Sequence, residues 1–173
     1  MDRQGTSNFS RGVMALLNPD HIRTVLRSIN QGPFFKLLSM TVSEIGTGFS
    51  VVEIVMETKH LNPFGGIHGG VYASIIDTAA FWSVYCDIDE RVGLITVDLK
   101  TDLLSPVKEG KIIAKGNRIK TGRTICLAEA TVFDRNQKML AHGTSKMMIT
   151  QGGQTIGETL SLTDTESFPT KFL

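Results

Sequence analysis

Residues 62–79 read NPFGGIHGGVYASIIDTA, a glycine-rich turn that leads into an apolar helix carrying one carboxylate, Asp77. The helix is apolar on every side from Gly69 to about Cys86, so we expect other elements to surround it. An isolated charge on such a helix is costly, because burial disfavours the ionised form unless something nearby compensates it. Asp77 is therefore either a structural acid bonded to backbone amides or a functional group.

The segments on both sides of this helix have the pattern of strands. Residues 35–45 and 49–58 are rich in β-branched and aromatic residues and are separated by the turn Gly46-Thr47-Gly48. Four more strands are predicted over residues 94–101, 111–120, 124–133 and 139–150. Two strands, one buried helix and four strands with short connections predict an α+β domain, in which an antiparallel sheet curls round the helix.

The ends of the chain have other patterns. Asn18-Pro19-Asp20 is a typical helix start, with an Asn cap, a proline at the first helical position and an acid in the first turn. Gly32-Pro33 is expected to end this helix. We divide the chain into an N-terminal arm and helix (1–33), a central domain (34–150) and a flexible C-terminal tail (151–173).

The composition narrows the classes of function. The 173 residues are 41% hydrophobic and carry a net charge of +1, which favours a folded core and argues against general nucleic-acid or membrane-surface binding. Cys86 and Cys126 form no close-spaced motif and predict reduced core residues of a cytoplasmic protein. No apolar run reaches membrane-spanning length, and we expect no signal peptide and no membrane partner.

The motif Asn62-x-x-Gly65-x-x-His68-Gly69-Gly70, followed by Asp77-x-Ala79, resembles the hotdog-fold acyl-CoA thioesterases of the phenylacetate-degradation type. These belong to the 4-hydroxybenzoyl-CoA thioesterase superfamily, and the order of elements over residues 34–150 resembles them too. The resemblance implies a hotdog fold and hydrolysis of an acyl-CoA thioester. It also implies a homo-oligomer, which is a dimer or a dimer of dimers (a homotetramer).

The resemblance also implies roles for single residues. Asp77 matches the catalytic carboxylate, and Asn62 matches the residue that holds the water or the thioester. Gly69 matches the backbone donor to the carbonyl oxygen. Thr96 matches a position where serine or threonine orients the attacking water.

The helix start is a candidate oxyanion site on physical grounds as well. Gly69 and Gly70 lie where unpaired N–H groups and the helix dipole favour negative charge. His68 is expected to position this turn through a hydrogen bond, and a general-base role is the alternative. A metal site built from His60, His68 and Asp77 is not expected, because their spacing is not compact. We expect no cofactor.

Helix geometry limits how these groups can meet. Gly69 and Asp77 are eight residues apart, which is roughly 12 Å along one helix. Both must lie within about 3 Å of the reacting group. The simplest resolution is a site shared between two subunits, with Asn62 and Gly69 from one subunit and Asp77 and Thr96 from the other.

The substrate-binding residues are predicted from the helix face and from charge. Gly70 and Phe81 lie on the same face as Asp77 by helical spacing. Arg123 is the best candidate for the coenzyme A phosphates within the basic stretch 108–123, where most of the lysines are typical of a solvated face. Asn62 could instead be a simple turn former, and Thr96 a solvent-facing strand residue.

Two other functions are compatible with the residues. A hotdog dehydratase acting on hydroxyacyl thioesters needs a histidine–acid pair, which only His68 is placed to join. A binding module for acyl-CoA would hold the same ligand and release no thiol.

Overall fold

The structure is a computed structural model that describes residues 16–151, 155 and 168–173. The described elements are α1 (Pro19–Ile29), α2 (Pro33–Leu37), β1 (Met40–Gly46), β2 (Phe49–Val55), a 3₁₀ turn (Thr58–His60), α3 (Gly69–Tyr85), β3 (Val92–Leu103), β4 (Lys111–Thr121), β5 (Ile125–Asp134) and β6 (Met139–Gln151). The four strands after α3 begin and end within two residues of their predicted positions.

One antiparallel sheet contains all six of these strands, in the order β1-β2-β4-β5-β6-β3. Helix α3 packs against its inner face and contacts every strand. Ile75, Ile76 and Ala79 on the helix are fully buried, as are Val52 and Ile112 on the sheet. The prediction of an antiparallel sheet around a buried helix is confirmed.

The predicted start of the first strand is wrong. Residues 33–37 form the short helix α2, and β1 begins only at Met40. Pro33 has the φ that a first helical residue needs, and the Gly32 carbonyl accepts the Lys36 amide at 3.1 Å. Ser39, with φ +48°, then breaks the helix. The aromatic residues here therefore belong to a helical turn and not to an extended strand.

Helix α1 begins as predicted and joins the main core. Asn18 caps it by accepting the Asp20 amide at 3.0 Å, and Val25 is fully buried in the same cluster as the α3 residues. At the other end, the Asn30 side chain donates to the Val42 carbonyl (3.0 Å) and accepts from the Val42 amide (2.9 Å). These two bonds hold α1 along the outer edge of β1.

Residues 168–173, which we call the C-terminal strap, pack against the start of α1 and the end of α3. The Asn18 amide donates to the Lys171 carbonyl at 2.9 Å. The ammonium of Lys171 is buried, donates to the Tyr85 and Ile88 carbonyls, and lies 3.8 Å from the Tyr85 ring centroid. The expectation of a flexible tail does not describe these six residues, and residues 152–154 and 156–167 lie outside the described part. So do residues 1–15 of the predicted arm.

Both cysteines are free and buried, as predicted. Burial raises the pKa of the Cys86 thiol to about 11, so this side chain is an unreactive thiol at neutral pH. None of the helices described has the length and apolar character required to cross a membrane.

Candidate active site

The loop before α3 is organised by the side chain of Asn62. Its Oδ1 accepts the amides of Phe64 (2.9 Å) and Gly66 (3.2 Å), and its own backbone N–H donates to the Gly66 carbonyl at 2.7 Å. Gly65 has φ +78°, a conformation that favours glycine. The turn-forming role of Asn62 is thus visible in the structure. The loop ends at His68 and Gly69, which begin α3.

His68 caps the N-terminus of α3. Its ring Nδ1 accepts the Gly70 amide at 2.9 Å, and its carbonyl accepts the Val71 amide at 2.9 Å. A Cβ at Gly70 would lie 3.0 Å from the His68 Nδ1, so glycine allows the close approach. The imidazole is held as a helix cap on an exposed residue.

The Gly69 amide is the remaining donor of this first turn. Helical geometry gives it no intrahelical acceptor, and no hydrogen bond to it is found among the described residues. A Cβ at this position would touch only the flexible Leu103 side chain, at 3.3 Å. The Gly69 N–H is therefore available to a negatively charged or partly charged oxygen.

Asp77 projects from the middle of α3 and is half-buried. Its Oδ1 accepts two hydroxyl hydrogen bonds, from Thr96 Oγ1 at 2.9 Å and from Ser145 Oγ at 3.3 Å. The other carboxylate oxygen, Oδ2, has no hydrogen-bond partner within the part of the chain that is described. One oxygen is thus held in place while the other can act on a ligand.

Thr96 reaches Asp77 because β3 is irregular at this point. Thr96 pairs with Met147 and Asp98 pairs with Lys146, so Val97 is one extra residue in the ladder. A bulge of this kind re-aims the neighbouring side chain. The hydrogen bond between Thr96 and Asp77 lies within one chain.

Sequence reasoning missed Ser145. It lies on β6 among the inward-facing residues Ala141, Gly143 and Met147, and it is buried with them. The signal was available, because a hydroxyl in an inward-facing apolar row faces the central helix, but nothing in the sequence alone paired it with Asp77.

An open cavity of about 470 Å³ lies beside Asp77. Its walls come from α2, α3 and β3: Phe34, Phe35, Ala73, Ser74, Asp77, Thr78, Phe81, Trp82 and Leu99. Phe81, predicted to bind substrate, lies in this wall, and the rest of the surface is mainly apolar. The arrangement suits a ligand with a hydrophobic body whose reactive group lies at the carboxylate.

Other predicted residues lie apart from this cavity. Arg123 is exposed in the turn between β4 and β5 and does not line it. Two other basic residues of the same stretch form ion pairs within the chain, Lys111 with Glu53 at 2.6 Å and Arg118 with Asp87 at 3.2 Å. The solvated-face interpretation fits this stretch well.

His60 is part of the scaffold. It is fully buried, its Nδ1 accepts the Glu57 amide at 2.9 Å, and its Nε2 donates to the Leu38 carbonyl at 2.9 Å. Within the described residues no three histidine, cysteine, aspartate or glutamate side chains are grouped as metal ligands would be.

Known proteins resemble this chain in sequence and in fold. Residues 64–141 match the sequence model of the thioesterase superfamily. Human acyl-coenzyme A thioesterase 13 is 25% identical over 126 residues, which are 70% of this chain and 89% of the relative.

Solved structures give the same fold. A thioesterase from Haemophilus influenzae has a TM-score of 0.71 at 18% identity, over 77% of this chain and 92% of that one. A thioesterase family protein from Silicibacter pomeroyi has a TM-score of 0.70 at 21% identity, over 76% and 99%. These likenesses show that the chain has the hotdog fold of known thioesterases and is similar in sequence to thioester hydrolases of the thioesterase superfamily.

Proposed function

We propose that the protein hydrolyses an acyl-CoA thioester to the free acid and coenzyme A, without a metal ion, at a site shared by two subunits. The observation that carries the proposal is the Asp77 carboxylate, held by two hydroxyls beside an apolar cavity. The name of the human relative, an acyl-coenzyme A thioesterase, supports coenzyme A as the thiol.

The chemistry needs a nucleophile or base, and a donor for the oxyanion. Asp77 Oδ2 either adds to the thioester carbonyl, expels the thiolate and leaves an anhydride for water to cleave, or takes a proton from the attacking water. The Gly69 N–H donates to the carbonyl oxygen as its charge develops. The Thr96 hydroxyl donates its hydrogen bond to Asp77, so its oxygen can accept a hydrogen bond from the attacking water.

Two subunits are needed because α3 is one uninterrupted helix. Gly69 is its first residue and Asp77 follows eight residues later, which separates them by roughly 12 Å along the axis. A single thioester carbonyl cannot contact both groups of one chain. Gly69 and Asn62 of one subunit would therefore meet Asp77 and Thr96 of the other.

The two edges of the sheet suggest how the subunits pair. The β1 edge is covered by Asn30 and α1, whereas no described strand pairs with the outer side of β3. Ile95 and Val97 on β3 are 46% and 51% exposed. A long uncovered edge of this kind favours pairing with a second copy. We infer a homodimer joined along β3, and the dimer of dimers stays a prediction.

Two variants test the two halves of the site. Asp77→Asn keeps one side-chain oxygen to accept the hydrogen bonds from both hydroxyls, and it should remove most thiol release. Gly69→Pro removes one N–H at a first helical position, where proline is favoured, and the His68 conformation (φ −71°, ψ 136°) is one that precedes proline easily. We expect a loss of about 10²–10³-fold in kcat, whereas Gly69→Ala keeps the N–H and should keep the activity.

A mixed dimer of the two variants tests the shared site. One subunit carries Asp77→Asn and the other carries Gly69→Pro, each with its own affinity tag. A shared site leaves one of the two active centres intact, so the purified mixed dimer should regain about half of the wild-type turnover. A mixed dimer as inactive as its parents would show that each site lies within one chain.

The alternative functions have separate readouts. The dehydratase needs a histidine–acid pair, but His68 caps the helix, and the described pair of His142 with Glu129 at 3.1 Å lies on β5 and β6 away from the cavity. Hydration of crotonyl-CoA without thiol release would favour the dehydratase. Tight acyl-CoA binding with neither reaction would favour the binding module. Phosphate binding by Arg123 and a cytoplasmic location stay predictions.

A further inference from the structure

Helix α2 contributes an aromatic wall to the cavity that contains Asp77. Phe34 and Phe35 of this helix line the same space as Phe81 and Trp82 of α3. The wall lies outside residues 64–141, which match the thioesterase superfamily. The carboxylate thus comes from the shared domain, and this wall comes from a segment that precedes it.

Hydrogen bonds on both sides of α2 attach the aromatic wall to the rest of the fold. Asn30, just before α2, bonds to both backbone groups of Val42. The buried imidazole of His60 donates to the carbonyl of Leu38, just after α2. Phe35 packs against the main core between these two attachments. The position of the Phe35 ring is therefore fixed by the fold before any ligand binds.

The wall is open on the side of the ligand. Phe34 is 52% exposed although it lines the cavity. A hydrophobic ligand that covers this ring removes apolar surface from water on both partners, and each buried methylene contributes about fourfold in affinity. An exposed aromatic ring beside a reactive carboxylate can therefore bind a long acyl chain more tightly than a short one.

We propose that Phe34 and Phe35 select the acyl group, favouring hydrophobic acyl chains (hexanoyl and longer, or aryl-bearing) over acetyl. The inference rests on the proposed acyl-CoA hydrolysis. Phe81 lies one helical turn beyond Asp77, roughly 6 Å along the axis. An acetyl group ends beside Asp77, whereas a longer chain passes Phe81 and contacts the α2 wall.

Trp82 provides a binding signal that does not depend on turnover. It is the one tryptophan of the chain, it lines the cavity, and its ring packs edge-on against Phe81 at 5.3 Å. In the 173-residue Asp77→Asn protein, titration with decanoyl-CoA should change the Trp82 fluorescence along a saturable binding curve. Acetyl-CoA should bind much more weakly, because it leaves the wall uncovered.

The deciding variant is Phe34→Ala in this background. It should weaken decanoyl-CoA binding about tenfold, which corresponds to roughly 55 Å² of apolar surface left uncovered, and leave acetyl-CoA unchanged. Leu37→Ala is the matched control, because Leu37 lies on the same helix, is 64% exposed and does not line the cavity. With the catalytic Asp77 restored, Phe34→Ala should raise KM for decanoyl-CoA, whereas Leu37→Ala should leave this KM at the wild-type value.

Two kinds of failure are distinguishable. If decanoyl-CoA binds and is hydrolysed but Phe34→Ala behaves like Leu37→Ala, the wall does not select the acyl group while the proposed function stands. If no acyl-CoA changes the Trp82 signal and none releases thiol, the proposed function fails and the inference fails with it.

Discussion

Gly116 on β4 is a point where α3 lies very close to the sheet. A Cβ at this position would lie 2.1 Å from the Ala79 carbonyl oxygen, 2.5 Å from the Ala79 carbonyl carbon and 2.8 Å from Ser50 Oγ. Ser50 itself donates to that carbonyl at 2.6 Å. Since two of these three atoms are helix backbone, no side-chain rotation relieves the contact. Gly116→Ala must therefore displace the helix.

The size of the effect follows from these distances. Ordinary Cβ contacts begin at 3.4 Å, so the helix must move by about 1 Å. Overpacking of this kind costs about 3 kcal/mol, which lowers the Tm by roughly 6–12 °C in a protein of this size. Ala79 follows Asp77 by two residues, so the same shift disturbs the 2.9 Å bond to Thr96. A misplacement of about 1 Å can lower turnover about 10²-fold.

The assay is thermal unfolding together with thiol release at a temperature well below the Tm of the variant. Gly66→Ala is the matched control, because its new Cβ would find nothing closer than 3.7 Å. It should leave the Tm nearly unchanged. A Gly116→Ala protein with wild-type Tm would refute the close approach of helix and strand. A lowered Tm with full activity would refute the inference that a displacement of α3 disturbs the Asp77 carboxylate.

Three further predictions concern the strap, the carboxylate and the helix cap. Burial lowers the pKa of Lys171 to about 8 from 10.5. Between about pH 8 and pH 10.5 the unfolded chain therefore binds more protons than the folded chain. The free energy of unfolding should rise with pH over this range, by up to about 3 kcal/mol. Lys171→Met should lack this rise when thermal unfolding is followed from pH 7.5 to 10, and parallel curves would contradict the reasoning. Thr96→Val removes the 2.9 Å hydrogen bond to the Asp77 carboxylate, and Ser145→Ala removes the 3.3 Å hydrogen bond. We expect kcat in steady-state assays to fall about tenfold to a hundredfold in Thr96→Val and by less in Ser145→Ala. A larger loss in Ser145→Ala than in Thr96→Val would count against this geometry. His68→Ala removes the cap on the Gly70 amide and should cost about 1 kcal/mol in urea unfolding, whereas His68→Asn, which can still cap, should cost less.

Much of the fold was predictable because its patterns are local. A helix start is written in a few adjacent residues, as at Asn18, where the predicted cap is confirmed. The apolar surface of α3 and the alternation along β4 and β5 reflect which side chains meet the core. The proposal of a shared site also came from a local rule, since helix rise alone separates Gly69 from Asp77.

The α2 region shows where local patterns are insufficient. Residues 34–38 contain two Phe and two Leu residues, a composition that suits a strand or a short helix equally well. Contacts from outside the segment stabilise the helical form, because His60 binds the Leu38 carbonyl and Phe35 packs into the core. The strap is a similar case, since its buried Lys171 is held by carbonyls more than 80 residues away in the chain.

The amino-acid sequence by itself determined the helix with its carboxylate, the glycine turn that starts it and the strands around it, because short-range sterics and apolar periodicity act within a few residues. Only the tertiary structure decided what surrounds that carboxylate. Thr96 and Ser145 lie 19 and 68 residues from Asp77 along the chain. They meet it because β3 carries a bulge and pairs with β6 over the helix, and such an encounter depends on the curvature of the whole sheet.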